Sequence, residues 1–291
     1  MKSTRIALLG IVLLAPSLVL GQGIDAIKLQ QGLGRPGQKI GEIIKFGFPR
    51  TDLHVTLRGV TVKPGLALGS WAAFSGTDDN ATVMGDLVLL QHEVNPVMKQ
   101  LRSSGFEITA VHNHLIDETP RLMYMHYMGR GRAQNLAASL KNALSASKTP
   151  LGKPGPVAKP ASEPAFVMIV VGVLGRKGSF SGGVLAFGIP RRDAITMNGM
   201  TIPPAMGVAE AINFQEAGAG RVATTGDCVI TSDEVNSVIS ALEDHHILVT
   251  ALHSHMLNEQ PRLFFMHFWA VGSPQSVSDG IKAALERIST K

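Results

Sequence analysis

Two stretches of the chain, AVHNHLIDETPRLMYMHYMG (110–129) and ALHSHMLNEQPRLFFMHFWA (251–270), each carry two histidines one residue apart. In each, a third histidine follows twelve positions after the second. On an extended strand, side chains at i and i+2 leave the same face, with Cβ atoms roughly 6.5 Å apart, so His112 and His114 should point together. If LIDETP folds the chain back as a tight antiparallel hairpin, His126 faces the pair from the next strand at about 5 Å. That arrangement needs a register whose paired positions sum to an even number, and the sequence leaves the register open. Three neutral imidazoles on rigid strands form a metal triad, each offering one nitrogen at about 2.0–2.1 Å to zinc. The second copy supplies the same trio as His253, His255 and His267. Glu118 and Glu259 are each a candidate fourth ligand or, in an enzyme, a general base. Arg121 and Arg262 follow a proline in each copy and suit the carboxylate or phosphate of a small anionic ligand.

A set of histidines with one carboxylate fits zinc as the default, and copper, manganese, iron or nickel as alternatives. The neighbouring Met123, Tyr124, Met125, Phe264, Phe265 and Met266 read as core, with Met125 and Met266 as soft copper ligands in a minority reading. Asp86 and Asp227 follow a repeated glycine and read first as turn or helix-capping residues, and only second as neighbours of the metal. GLGRPG (32–37) fits the spacing of a dinucleotide-binding loop. A proline-interrupted turn and strand follow it instead of a helix, so it reads as a hairpin turn.

The elements that must position these residues occur twice. At an offset of 141, LGRPG falls on LGRKG, FGFPR on FGIPR, Asp52 on Asp193 and Glu93 on Glu234, with a slip to 140 between Gly59/Gly199 and Phe74/Phe214. This gives a first repeat unit over 24–147, a proline-rich linker over 148–164 and a second unit over 165–288. Within a unit, AFVMIVVGVLG, GGVLAFGIPR and VTLRGVTV read as strands, GDLVLL as a buried strand, and HEVNPVMKQLRSSG as a helix stopping at Gly105. FEITAVHNHL and RLMYMHYMG read as two more strands, and RAQNLAASLKNAL as an amphipathic helix. The expected fold class is α+β: two tandem homologous units, each a mainly antiparallel sheet with two helices in its C-terminal half.

Composition narrows the functions. The chain has 291 residues, 45% hydrophobic and 17% charged, which is globular. Residues 1–21 have a basic start at Lys2 and Arg5, an apolar run and small residues at Val19 and Gly21, the pattern of a secretory signal peptide. An exported protein, periplasmic or secreted, is therefore expected, with no membrane span after signal removal. The single cysteine, Cys228, excludes a disulfide framework. A net charge of +5 without a dense basic run, and only two Trp and two Tyr, argue against nucleic-acid binding.

The segments HNHLIDETPRLMYMHY and HSHMLNEQPRLFFMHF resemble the LppY/LpqO-like family of uncharacterised secreted bacterial proteins, which carry two such units. That resemblance implies the duplication and brings no assigned activity. His112, His114 and Glu118 are also similar to the opening of the first cupin motif, but the glycine spacing and third histidine depart from it. Three functions follow: an exported divalent-metal-binding protein, a hydrolase-like metal-dependent enzyme acting on an anionic substrate, or a metal-free interaction module. Two intact copies favour binding, since a duplicated catalytic site often loses one copy.

Overall fold

Asp25 starts the first helix, α1 (Ala26–Leu33), by accepting the N–H groups of Ile27 and Lys28. Gly34 ends it at φ 75°, in the left-handed region that favours glycine. The computed structural model describes residues 23–153, 155 and 162–291; the expected signal peptide and much of the expected linker lie outside them. Strands β1 (Gln38–Ile40), β2 (Ile43–Pro49), β3 (Val55–Leu57) and β4 (Val60–Val62) follow, then the short helix α2 (Pro64–Ala67). The unit closes with β5 (Gly69–Gly76), β6 (Ala81–Leu90), α3 (Val94–Ser103), β7 (Glu107–His112), β8 (Leu122–Gly131) and α4 (Ala133–Leu144).

The second unit repeats the order. It opens with α5 (Ala165–Leu174), β9 (Ser179–Ser181), β10 (Val184–Pro190), β11 (Thr196–Met197) and β12 (Met200–Thr201). It continues with β13 (Ala209–Glu216), β14 (Val222–Ile230), α6 (Val235–Asp244), β15 (Leu248–His253), β16 (Glu259–Gln260), β17 (Phe264–Gly272) and α7 (Pro274–Leu285). The sheets are antiparallel throughout, with orders β1-β2-β5-β6-β8-β7 and β9-β10-β13-β14-β17-β15. Each unit is thus a mainly antiparallel sheet with two helices in its C-terminal half, as expected from the sequence.

Three local expectations are corrected. AFVMIVVGVLG is the helix α5, not a strand: Pro164 precedes it, Gly175 caps it at φ 62°, and its buried residues Phe166, Val167, Val170 and Leu174 follow helical spacing. β-Branched residues favour a strand locally, but burial of one face against α7 decides the conformation. GLGRPG is the exit of α1, not a hairpin turn, because Gly32 is helical and Gly34 is the cap. VTLRGVTV is not one strand but the hairpin β3–β4, turning at Arg58 and Gly59, both at positive φ.

The alternation of each sheet serves two cores. Outward residues such as Phe46, Phe74, Leu87, Met125 and Tyr127 pack with Leu29, Leu33, Leu101 and Leu140 from the helices. The inward faces of the two sheets meet each other, giving helix, sheet, sheet and helix layers. Two further buried clusters hold residues of both units: Met84 and Met128 pack with Met206, Met256 and Phe265, and Leu66, Leu115 and Tyr124 pack with Val184 and Trp269. Polar links reinforce the seam: Asn213 donates to the Leu66 carbonyl at 3.0 Å, and Gln215 donates to the Thr61 carbonyl at 2.9 Å.

Candidate metal centre

A bulge in β7 decides where the first histidines go. Ile108 pairs with Tyr127 and faces the helices, but the register then shifts so that Ala110 pairs with His126 and His112 with Tyr124. If Thr109 paired regularly instead of bulging, strict alternation would put His112 on the helical side with Ile108. The bulge turns it inward. The second unit repeats the device at Thr250, after which Ala251 pairs with His267 and His253 with Phe265. Beyond each bulge the pairing sums to an even number, the condition for a shared face.

The connection to the third histidine is not a tight hairpin. β7 ends at His112 and β8 begins at Leu122, so His114 lies in the intervening loop, which contains a cis Thr119–Pro120 bond. The second unit places His255 likewise, after β15 and before β16. The first loop is held by its neighbour: Thr250 Oγ1 donates to the His114 carbonyl at 2.5 Å, and Asn113 donates to the Thr250 carbonyl at 3.1 Å.

All six histidines meet in one chamber between the sheets, rather than in two remote trios. His112 stacks on His253 with ring centroids 3.5 Å apart, His114 on His267 at 3.7 Å, and His126 on His255 at 3.6 Å. Every close pair joins one unit to the other. Within the first unit, His112 lies 5.0 Å from His114 and 5.1 Å from His126. Tyr124 backs His114 at 3.4 Å and Phe265 backs His255 at 3.6 Å.

Two aspartates, read from sequence as turn or capping residues, are instead mid-strand members of this chamber. Asp86 sits opposite His126 across β6 and β8, and Asp227 opposite His267 across β14 and β17. The Asp86 carboxylate oxygens lie 3.8 Å from His114 Nε2 and 3.7 Å from His126 Nε2; those of Asp227 lie 3.7 Å from His255 Nε2 and 3.9 Å from His267 Nε2. Their repetition at the register opposite the third histidine was the signal available in the sequence. The preceding glycines are required here: a Cβ on Gly85 would lie 2.3 Å from the Trp71 carbonyl oxygen, and one on Gly226 would lie 2.2 Å from that of Ala211.

The electrostatics match metal ligands. Nε2 of all six histidines, and one oxygen each of Asp86 and Asp227, are buried without a hydrogen-bond partner. Nδ1 of His267 approaches the Gly226 carbonyl at 2.8 Å and that of His112 the Asn113 carbonyl at 3.1 Å; a carbonyl only accepts, so these nitrogens carry the proton and Nε2 keeps its lone pair. Burial lowers the pKa of His112 to about 4 and, with the nearby His112, that of His253 to about 3. Burial and then the neighbouring rings push His114, His126, His255 and His267 well below the ordinary value. Burial also raises Asp86 to about 7 and Asp227 well above its usual range. Three groupings have ligating atoms within 4.8 Å of one another: His112 with His114 and His126, His112 with His253 and His255, and Asp227 with His255 and His267.

Glu118 and Glu259 are absent from these groupings. Each is buried and accepts a backbone N–H four residues on, from Leu122 at 3.0 Å and from Leu263 at 3.1 Å. Arg121 and Arg262, each about half exposed, pair with the glutamate three residues before them, at 3.7 Å and 3.2 Å. Arg262 also donates to the Met256 carbonyl and to Ser254 Oγ, bracing the loop that carries His255. Met125 and Met266 are fully buried in the sheet-helix cores, away from the histidine face.

A repeated ion network went unread in the sequence. The fully buried Arg50 donates to Glu93 at 2.7 Å, to Asp52 at 2.9 Å and to the Val88 carbonyl at 2.8 Å; Arg191 does the same with Glu234, Asp193 and Val229. Each arginine pins the strand two residues beyond the chamber aspartate. The coincidence of FGFPR/FGIPR with repeated acids was the available signal.

No curated protein matches the chain in sequence. Among solved structures, a trimeric bacterial microcompartment shell protein, PduB, is 11% identical, covering 86% of this chain and 88% of its own, with a TM-score of 0.22. The structure titled crystal form I of TP0453 is 10% identical, covering 90% and 98%, with a TM-score of 0.17. Scores this low carry no inference about fold or function. Residues 27–146 and 169–287 each match one family, so the chain belongs, twice over, to the family described as Domain of Unknown Function (DUF1259).

Proposed function

We propose that the chain is an exported protein that binds divalent transition-metal ions in the chamber shared by its two repeats. His114 and His126 with Asp86 form one seat, His255 and His267 with Asp227 form the other, and His112 and His253 complete them from the middle. The observation that carries this reading is the convergence of buried Nε2 and carboxylate atoms without hydrogen-bond partners, since burying such groups costs free energy unless something satisfies them. Two ligands on a tetrahedral zinc are roughly 3.3 Å apart at the usual bond lengths. The nitrogen-oxygen spacings of 3.7–3.9 Å lie somewhat above that and run to a different oxygen of each aspartate for its two histidines; of the two seats, Asp227 with His255 and His267 has its ligating atoms within 4.8 Å of one another. Zinc is the default ion, with copper, manganese, iron and nickel in the same ligand range.

Binding is preferred to catalysis because each glutamate that would move a proton has one oxygen bonded to a backbone N–H and lies outside the groupings of ligating atoms, with an arginine three residues on beside it. The export part of the proposal rests on the signal-like residues 1–21. Among the described residues no helix is long and apolar enough to cross a membrane.

The test is elemental analysis and zinc titration of the purified chain. Tight binding of two equivalents is expected, and His114→Ala with His255→Ala together should abolish it. A chain that takes up no ion and melts identically with and without chelator would end the proposal.

A further inference from the structure

Around the histidines the two repeats match in position but not in chemistry. The buried cluster on one side of the chamber contains Met84, Met128, Met197, Met206 and Met256. The repeat equivalents of these five positions are Thr225, Trp269, Leu57, Leu66 and Leu115. The matching cluster on the other side contains Leu57, Leu66, Leu115 and Trp269 and no methionine. Five of the chain's 12 methionines thus occupy one of two equivalent places. Methionine often fills irregular gaps in a core. Here, however, leucine, tryptophan and, opposite Met84, Thr225 take the equivalent positions, so packing by itself does not demand thioethers.

A small cavity of about 10 Å³ opens on that side, lined among others by Met84, Met206, Met256 and Trp71 together with His126 and His255. That is room for about one water or one ion. The Nε2 atoms of both histidines are buried and lack hydrogen-bond partners.

We infer that this cavity is a second site, for a soft monovalent cation, copper(I) or silver(I), bound by the thioethers of Met84, Met206 and Met256 with one imidazole, of His126 or His255, drawn from the chamber. Uncharged sulfur ligands select such an ion over zinc or magnesium. The inference rests on the metal-binding reading for its imidazole, while its sulfur ligands are its own.

The experiment titrates the full chain with silver(I) and with copper(I) against a chromophoric chelator, beside zinc titrations, and records copper-edge X-ray absorption. Sulfur scatterers are expected around copper(I). The triple variant Met84→Leu, Met206→Leu, Met256→Leu should lose at least tenfold in silver(I) and copper(I) affinity while zinc affinity changes less than twofold. Two of these changes install the residue that the first repeat already carries, and Met84→Leu alone gives a milder version. A wild-type spectrum without sulfur, or a folded triple variant with undiminished affinity, would overturn the inference. Sulfur-ligated copper(I) in a chain that ignores zinc would instead sink the histidine-aspartate reading and leave this one standing.

Discussion

His112 and His253, the equivalent first histidines of the two repeats, lie face to face with ring centroids 3.5 Å apart and 24° between their planes. The same interleaving at His114/His267 and His126/His255 makes the chamber a product of both units. Neither repeat alone would enclose it. Two rings this close cannot both be charged, and the neutral imidazole is the form able to bind a metal.

The carboxylate ligand is open to a direct comparison. Asp86→Asn or Asp227→Asn should remove one of two zinc equivalents or weaken it about 10- to 100-fold, measured by isothermal titration. Glu118→Gln should leave stoichiometry unchanged, because Glu118 is in none of the groupings of ligating atoms and one of its oxygens accepts the Leu122 N–H. Loss of zinc in Glu118→Gln with retention in both asparagine variants would reverse the assignment.

The metal-free chain should lose stability as pH falls from about 6.5 towards 4. Burial holds His112 near 4 and His253 near 3, and the other four chamber histidines well below their ordinary value. In that window the unfolded chain therefore takes up protons that the native state refuses. Asp86, held at about 7, acts in the opposite sense between roughly pH 4 and 7 because its native state keeps the proton, and Asp227 and the buried Glu210 act likewise, but the six histidines outnumber the three carboxylates. Urea unfolding at a series of pH values should show the decline, and zinc affinity should fall below about pH 7 as Asp86 takes up its proton. A flat profile in the apo chain would contradict the burial of neutral rings.

Arg50→Ala should destabilise the chain by about 3–5 kcal/mol, since it strands the buried Glu93 without its partner. Arg50→Lys should recover only part, because an ammonium cannot reproduce the forked bonds to Glu93 and Asp52. Chemical denaturation followed by circular dichroism measures both. A cost below about 1 kcal/mol for Arg50→Ala would show the network to be dispensable.

Much of this was legible in one dimension. The duplication, the antiparallel sheets, the helices α3 and α4 and the six histidines follow from repeat offset, hydrophobic period and glycine punctuation, all of which are local properties. The helix α5 that opens the second unit was misread because Val and Ile favour strands, and only its packing against α7 overrides that preference.

The centre itself was decided in three dimensions. Period-two alternation predicts that His112 shares a face with Ile108, and the bulge at Thr109 reverses this by inserting one residue that leaves no mark on the hydrophobic pattern. The choice of Asp86 and Asp227 over Glu118 and Glu259 depends on pairing between strands far apart in sequence, where Asp86 meets His126 and Asp227 meets His267. The sequence by itself determined that two sets of candidate ligands exist. That they share one chamber follows from burial of the inward sheet faces against each other, since the apolar residues flanking the histidines leave water only when the two units close together.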